Sequence, residues 1–272
     1  MYLYMAFKTV KSNNLKIHFT KKTKMDLPLD KDYYIKKKLI KVDKLPPQLT
    51  NKSFLHLLIG PPRSGKSTYV ESLITAPTVN GERQSYVELF DEIIFITPQI
   101  TDFENDDFNE LKHVYTEINV DVLESIEALC MKTFEEGGQC LLVLDDMAAN
   151  LRKSRATQLK LEELCFNHRH MGLSIFFCVQ TFVSLSPAMR KSARLMTLFS
   201  VDSNQERETI FKDLPIKKED HQALYDHVFD NRDDDGITDS QGRPLRHTLY
   251  IDKSKTRFNK IKIYKDFDEL VM

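Results

Sequence analysis

Apolar residues along this 272-residue chain gather into short runs set apart by polar stretches. The runs Phe54–Ile59, Glu92–Thr97, Cys140–Leu144, Leu173–Val179 and Leu195–Val201 are continuous or nearly so and too short for helices. They read as strands buried on both faces. Between them, Val122, Leu123, Ile126, Leu129, Cys130 and Phe134 recur at helical spacing over residues 120–134, and Gly137–Gly138 stops the pattern. Helices are also predicted over Ser67–Thr75, Leu159–His168, Gln205–Lys212 and Glu219–Phe229, with loops over residues 76–90 and 230–243. Strands alternating with helices predict a mostly parallel sheet covered on both faces. The two ends of the chain differ. Leu15, Ile17 and Phe19 alternate with Lys16 and His18 as a short strand would, and Pro46–Pro47 then punctuate the chain. Leu249–Ile251 and Ile261–Ile263 alternate around Tyr250 and Lys262, which predicts a C-terminal β-hairpin. The expected organisation is an extension over 1–50, a core over 51–215 and a helical and hairpin appendage over 216–272.

Charge changes this picture at one end. The net charge of −1 conceals a split: residues 1–50 hold 12 Lys against 4 Asp, a balance of +8, and the remainder holds 27 basic against 36 acidic side chains, a balance of −9. A basic arm of this kind can neutralise DNA phosphates, and it equally suits a solvated lysine-rich surface. No apolar run reaches the length of a membrane span, and MYLYMAFKTVK lacks the basic start of a secretory signal. No membrane partner is expected. The four cysteines, Cys130, Cys140, Cys165 and Cys178, show no CxxC pairing and read as reduced core thiols.

The chemistry begins at residues 60–68, GPPRSGKST. Gly60-x4-Gly65-Lys66-Ser67 follows an apolar strand and opens a helix, the context in which this spacing cradles phosphate. Gly60, Pro61, Pro62, Arg63, Ser64, Gly65, Lys66, Ser67 and Thr68 form the expected nucleotide loop. Amide groups from Arg63 to Thr68 encircle the β-phosphate, Lys66 reaches the β- and γ-phosphates, and Ser67 binds Mg2+. The fold class is therefore α/β, of the P-loop NTPase kind. The strand LLVLDDM ends in Asp145 and Asp146, 79 residues after Lys66. Its first acid suits the Mg2+ shell and its second suits orienting or deprotonating a water. Paired acids argue for hydrolysis and against a simple nucleotide kinase, which activates no water. A further strand, Leu173–Val179, ends in Gln180. Strands of a parallel sheet end on one edge, where ligands bind, so Gln180 is expected beside the γ-phosphate. Inserting this strand between the strands ending in Gly60 and Asp145 gives the additional-strand class of NTPase.

Taken in order, FLHLLIGPPRSGKST, IIFITP, LLVLDDM, NHRHMGLSI, CVQT, SPAMRKSARLMTLFSV and SNQERETIFKDLP resemble the genome-packaging ATPases of poxviruses, other nucleocytoplasmic large DNA viruses and virophages, within the FtsK–HerA superfamily of DNA translocases. The resemblance spans residues 54–215. FtsK- and HerA-like members usually carry Asp-Glu where this chain has Asp145-Asp146, as packaging members do. The resemblance implies an ATP- and Mg2+-dependent translocase that moves double-stranded DNA into a capsid, with capsid proteins as further partners. It implies work in the viral factory of the host cytoplasm, and a place in the virion. It also implies a homo-oligomeric ring in which a neighbour's arginine completes each site. Arg169 is the first candidate, then Arg190 and Arg194.

Some readings stay open at this stage. A nucleotide or nucleoside kinase with Arg243 and Arg246 near a lid is the alternative to a motor, and a DNA helicase is a variant of one. Arg152, Lys153 and Arg155, in an expected loop over Leu151–Thr157, suit sequence-independent contact with DNA phosphate or plain solvation. His168 and His170 lack the companions of a metal site. NRDDDGITDSQG at 231–242 imitates a calcium loop but ends in Gly242 where a bidentate Glu is required.

Overall fold

β6, Leu173–Val179, lies between β2, Leu55–Ile59, and β5, Cys140–Asp145, and pairs in parallel with both. This is the computed structural model of the chain, and it describes residues 8–10, 49–50, 53–75, 86, 89–98, 113–201, 203–214, 216–229, 247–253 and 261–271. The sheet order is β1-β10-β9-β8-β7-β2-β6-β5-β3-β4. Its parallel part also contains β3, Glu92–Ile96, β4, His113–Tyr115, and β7, Leu195–Phe199. The inserted-strand topology is thus the one expected from the sequence. β8, Thr248–Asp252, runs antiparallel to β7, and β9, Lys262–Lys265, and β10, Asp268–Val271, continue the meander. β1, Lys8–Val10, closes that edge against β10.

Alternation through the sheet sorts its side chains into two cores. Leu57, Ile59, Leu142, Leu144, Ile175 and Phe177 face α2, Val120–Glu135, α4, Arg155–Asn167, and α7, His221–Phe229. Leu58, Val143, Phe176, Cys178 and Tyr250 face α1, Lys66–Thr75, on the other side. The remaining α-helices among the described residues are α3, Ala148–Leu151, α5, Pro187–Ser192, and α6, Asn204–Lys212.

Two expectations need adjustment. The basic loop over Leu151–Thr157 is only the short turn between α3 and α4. Ser154 Oγ accepts from the Thr157 amide at 3.2 Å and caps a helix that opens at Arg155. The hairpin of β8 and β9 is present and is extended by β10, which was not anticipated. The β9–β10 turn holds Asp266 at φ 49° and Phe267 at φ 72°, where Asn-Gly is the usual choice. Packing compensates: Phe267 is buried, stacks on Tyr69 of α1 at 5.7 Å between centroids and meets Tyr250 at 5.5 Å. The expected strand at Leu15–Phe19, Arg243, Arg246 and the loop at 230–243 with its calcium-like motif lie outside the described residues.

The α1 side of the core also buries a polar chain. His56 Nε2 bonds Thr197 Oγ1 at 2.8 Å, and Thr197 Oγ1 lies 3.2 Å from Tyr69 Oη. Burial lowers the His56 pKa to about 3, against an unfolded value near 6.5. The neutral ring therefore contributes its full stability above about pH 6.5 and loses it as pH falls toward 3. His56→Phe removes one proton-uptake site from unfolding. Between pH 6.5 and 4, urea denaturation should show the wild type losing about 1.4 kcal/mol more per pH unit than His56→Phe. Equal slopes would mean that His56 is charged in the folded chain.

Candidate functional site

Because β2, β6 and β5 are parallel, their C-terminal ends share one edge, and the candidate site is built there. After Ile59 the chain turns sharply. The Gly60 amide donates to Val179 O at 3.2 Å, tying the loop to the end of β6. A Cβ on Gly60 would lie 2.7 Å from Phe199 Cβ and 2.8 Å from Ser64 Oγ, so the close approach needs glycine. Gly65 sits at φ 95°, a conformation that side chains disfavour. The loop then enters α1, whose first turn directs amides at whatever occupies the cradle. Pro61, Pro62 and Arg63 form the outer wall, with Pro62 and Arg63 exposed, while Ser64 is buried beneath it.

Lys66 is buried, and its ammonium donates to Gly60 O and Pro61 O at 2.8 Å each. Burial lowers its pKa, and Cys178, Asp145 and Asp146 oppose that shift. A buried cation held by neutral carbonyls gains much from an anion brought to it.

Ser67 Oγ donates to Asp145 Oδ2 at 2.7 Å, and Asp145 is buried at the end of β5. These are hard oxygen donors on adjacent elements. They fit Mg2+, which binds through one or two protein oxygens and takes its other ligands from phosphate and water. Among the described residues no set of three or more His, Cys, Asp and Glu gathers as a metal site, so the phosphates would have to complete the shell. Asp146 follows at φ 52°, a left-handed conformation uncommon for a non-glycine residue. That twist takes Asp146 out of the strand and exposes it, and its Oδ1 accepts from Gln180 Nε2 at 2.6 Å. Lys66, Ser67, Asp145, Asp146 and Gln180 thus meet at one edge, and Thr68 lies in the first turn of α1.

One neighbour was not legible as part of this site. Cys178 stands opposite Asp145 in the β5–β6 register. Burial and the Asp145 charge push its thiol well up, so it stays a neutral group packed against a buried carboxylate. The sequence offers only a cysteine in an apolar run, and register alone supplies the pairing.

The candidate arginines part company. Arg169 lies in the turn His168–Met171 before β6, and Arg194 immediately precedes β7, so both sit at the edge opposite the nucleotide loop. Both are exposed. Partial desolvation, with the Arg194 charge nearby, lowers the Arg169 pKa. Seven strand residues at about 3.3 Å each separate Arg169 from the Gln180 end by roughly 20 Å. Arg190 is committed elsewhere: it pairs with Asp213 at 3.3 Å and covers the Phe182 ring at 4.8 Å. His168 is buried with Nδ1 2.7 Å from Cys165 O, and His170 is exposed. Arg152, Lys153 and Arg155 are exposed around the α3–α4 turn, where Lys153 reaches Asn150 and Arg155 reaches Gln158.

The family described as Poxvirus A32 protein matches residues 45–232. No curated protein matches the chain. Among solved structures the chain is similar to B204, the DNA-packaging ATPase from Sulfolobus turreted icosahedral virus, with 17% identity and a TM-score of 0.52 over 79% of this chain and 98% of that one. It is similar to the genome packaging NTPase B204 from Sulfolobus turreted icosahedral virus 2 in complex with sulfate, with 18% identity and a TM-score of 0.50 over 79% and 97%. The complex of that protein with ATP-gammaS gives 18% identity and a TM-score of 0.49 over 79% and 98%. At these identities the likeness is one of fold.

The Lys66 geometry yields a direct test. In Lys66→Ala the loop loses its buried cation while no apolar core contact is removed. Binding of a fluorescent ATP analogue should weaken at least about tenfold, the scale of one charge-assisted contact, with little change in melting temperature. Unchanged affinity in a folded variant would remove Lys66 from the site.

Proposed function

The chain belongs to the poxvirus A32 family of packaging ATPases, and from that premise we propose that it is a motor hydrolysing ATP to drive double-stranded DNA into a viral capsid. The observation that carries this reading is the convergence of a nucleotide loop, an acid pair and Gln180 at one sheet edge. Lys66 leaves its loop carbonyls for the β- and γ-phosphates and offsets their charge. Ser67 and Asp145 would hold Mg2+, which when bound would draw charge from the phosphate oxygens. Asp146 accepts a proton from the attacking water, and Gln180 aligns Asp146 and that water against the γ-phosphate. The acid pair favours water as the acceptor over the hydroxyl of a kinase substrate.

Among the described residues of one chain Lys66 is the only buried lysine or arginine, and charge developing on the transferred phosphoryl group calls for a second cation. Arg169 is far from its own site and suits a neighbour's, which supports a homo-oligomeric ring with Arg169 acting in trans. Phe166 and Phe134, 50% and 47% exposed, also support it. Phe166 lies three residues before Arg169, and Phe134 packs beside Gly172, where a Cβ would meet its ring at 2.7 Å. Large apolar side chains gathered at an exposed edge suit a subunit contact. Arg194 is the alternate finger. Arg152, Lys153 and Arg155 suit contact with DNA phosphate, as does the +8 segment of residues 1–50. Capsid proteins are the further partners, and the viral factory of the host cytoplasm and the virion are the places of work. Among the described residues no helix is long and apolar enough to cross a membrane.

ATP turnover measured with and without duplex DNA, alongside oligomeric mass, tests the motor. Duplex should raise turnover severalfold whatever its sequence, the effect should fade as salt rises, and the active species should be larger than a monomer. Phosphorylation of a small acceptor in place of phosphate release would overturn the reading in favour of a kinase.

Mixing tests the arginine. Arg169→Ala and Lys66→Ala should each be inactive alone and partly active when combined, because a mixed interface pairs an intact loop with an intact arginine. No recovery in mixed rings verified by mass would exclude Arg169 and turn attention to Arg194.

A further inference from the structure

Ser203 to Glu206 open α6 with the S-x-x-E spacing of a capping box, in which each side chain satisfies the other's backbone amide. One half of the box is present: Ser203 Oγ accepts from the Glu206 amide at 3.3 Å. The Glu206 carboxylate is engaged elsewhere. Its Oε1 accepts from the backbone amide of Phe182, a residue in a different part of the sheet edge.

Phe182 lies two residues beyond Gln180, and its ring is fully buried. The Arg190 guanidinium covers that ring, and Arg190 pairs with Asp213, the C-cap of α6. The turn that carries Gln180 is therefore tied to α6 at both ends, through Glu206 in the first turn and through Asp213 and Arg190 at the last. On the other side α6 is fixed by Arg207, which lies 4.3 Å over the Tyr225 ring, while Tyr225 Oη bonds the Val201 amide and carbonyl. The strand ladder that fixes the backbone before Gln180 ends at Val179. Beyond it, among the described residues, the bond from the Phe182 amide to the Glu206 carboxylate is the first that anchors the backbone to a separate element. A negative charge at this helix N-terminus is also favoured by the helix dipole.

We propose that Glu206 is a positioning residue for ATP hydrolysis, holding the Thr181–Phe182 backbone so that the Gln180 carboxamide stays on Asp146. Glu206 touches no reacting atom and acts only through Gln180. The inference rests on the role given above to Gln180 in the hydrolytic step.

The experiment compares wild type, Glu206→Ala, Glu206→Gln, Ser203→Ala, Gln180→Ala and the Glu206→Ala/Gln180→Ala double variant in ATP turnover, nucleotide affinity and melting temperature. Glu206→Ala should lower kcat about tenfold to a hundredfold, the scale of a small misplacement of a reacting group, and leave KM and nucleotide Kd within about twofold. Glu206→Gln keeps an acceptor oxygen and should retain most of kcat. Ser203→Ala weakens the same helix without touching Phe182. It should lower the melting temperature as far as Glu206→Ala does while leaving kcat near wild type. The double variant should be no slower than Gln180→Ala by more than about twofold, since both changes disable one unit. Multiplying losses, a Ser203→Ala kcat as low as that of Glu206→Ala, or a normal Glu206→Ala beside a slow Gln180→Ala would overturn the role of Glu206. A normal Gln180→Ala would instead overturn the reading of Gln180, and the proposal with it.

Discussion

The pairing of β6 with β2 on one side and β5 on the other is the interaction on which the site rests. Each strand supplies one functional terminus: β2 leads into the nucleotide loop, β5 ends at Asp145, and β6 delivers Gln180. Side chains alternate strictly along a strand, so a slip of one residue would turn every one of them to the other face. Cys178 would no longer face Asp145, and Phe176 would leave the α1 core for the opposite one. Burial of apolar side chains on both faces of these strands makes that slip prohibitively unfavourable. Catalytic geometry at the sheet edge is thus secured by hydrophobic register well inside the molecule.

That edge carries an electrostatic tension. Lys66 and Asp145 are both charged groups largely removed from water. Lys66 rests on two backbone carbonyls, and Asp145 accepts from Ser67. A carbonyl satisfies the hydrogen-bonding of an ammonium but leaves its charge only partly compensated. Phosphate complements the lysine, and a divalent cation complements the aspartate. Alone, phosphate would meet repulsion from Asp145 and the cation would meet repulsion from Lys66. Bound together, each ligand offsets the other's repulsion, which favours binding phosphate and cation together over either alone.

The central strands, the nucleotide loop, the acid pair and the inserted strand ending in Gln180 were legible because each is a local pattern: an apolar run with a polar or glycine terminus. What stayed hidden depends on contacts distant in sequence or on elements too short to show a period. β4 has three residues, and β10 reads Asp-Glu-Leu-Val, half of it charged. The Asp266–Phe267 turn lacks the usual Asn-Gly signature because its strained conformation is compensated by aromatic packing from α1 and β8. Ser154 caps a helix that opens at Arg155, whereas the basic residues around it suggested a loop running on to Thr157. Arg190, a candidate after Arg169 for a neighbour's site, pairs with Asp213, which follows β7 and α6 in the chain, a contact that no local pattern reveals.

The antiparallel end of the sheet bears on the site through one side chain. Tyr69 lies in the second turn of α1, stacked on Phe267 from the β9–β10 turn and 3.2 Å from the Thr197 hydroxyl of β7. A helix held only through its loop would leave the phosphate cradle poorly positioned. The stacking and the buried polar chain from Tyr69 through Thr197 to His56 instead fasten α1 to β7, β2 and the C-terminal meander at once. Densely packed aromatic groups of this kind deform little. The phosphate cradle is therefore held by the same packing that holds the sheet, while the turn beyond β6 that carries Gln180 is held separately, through α6.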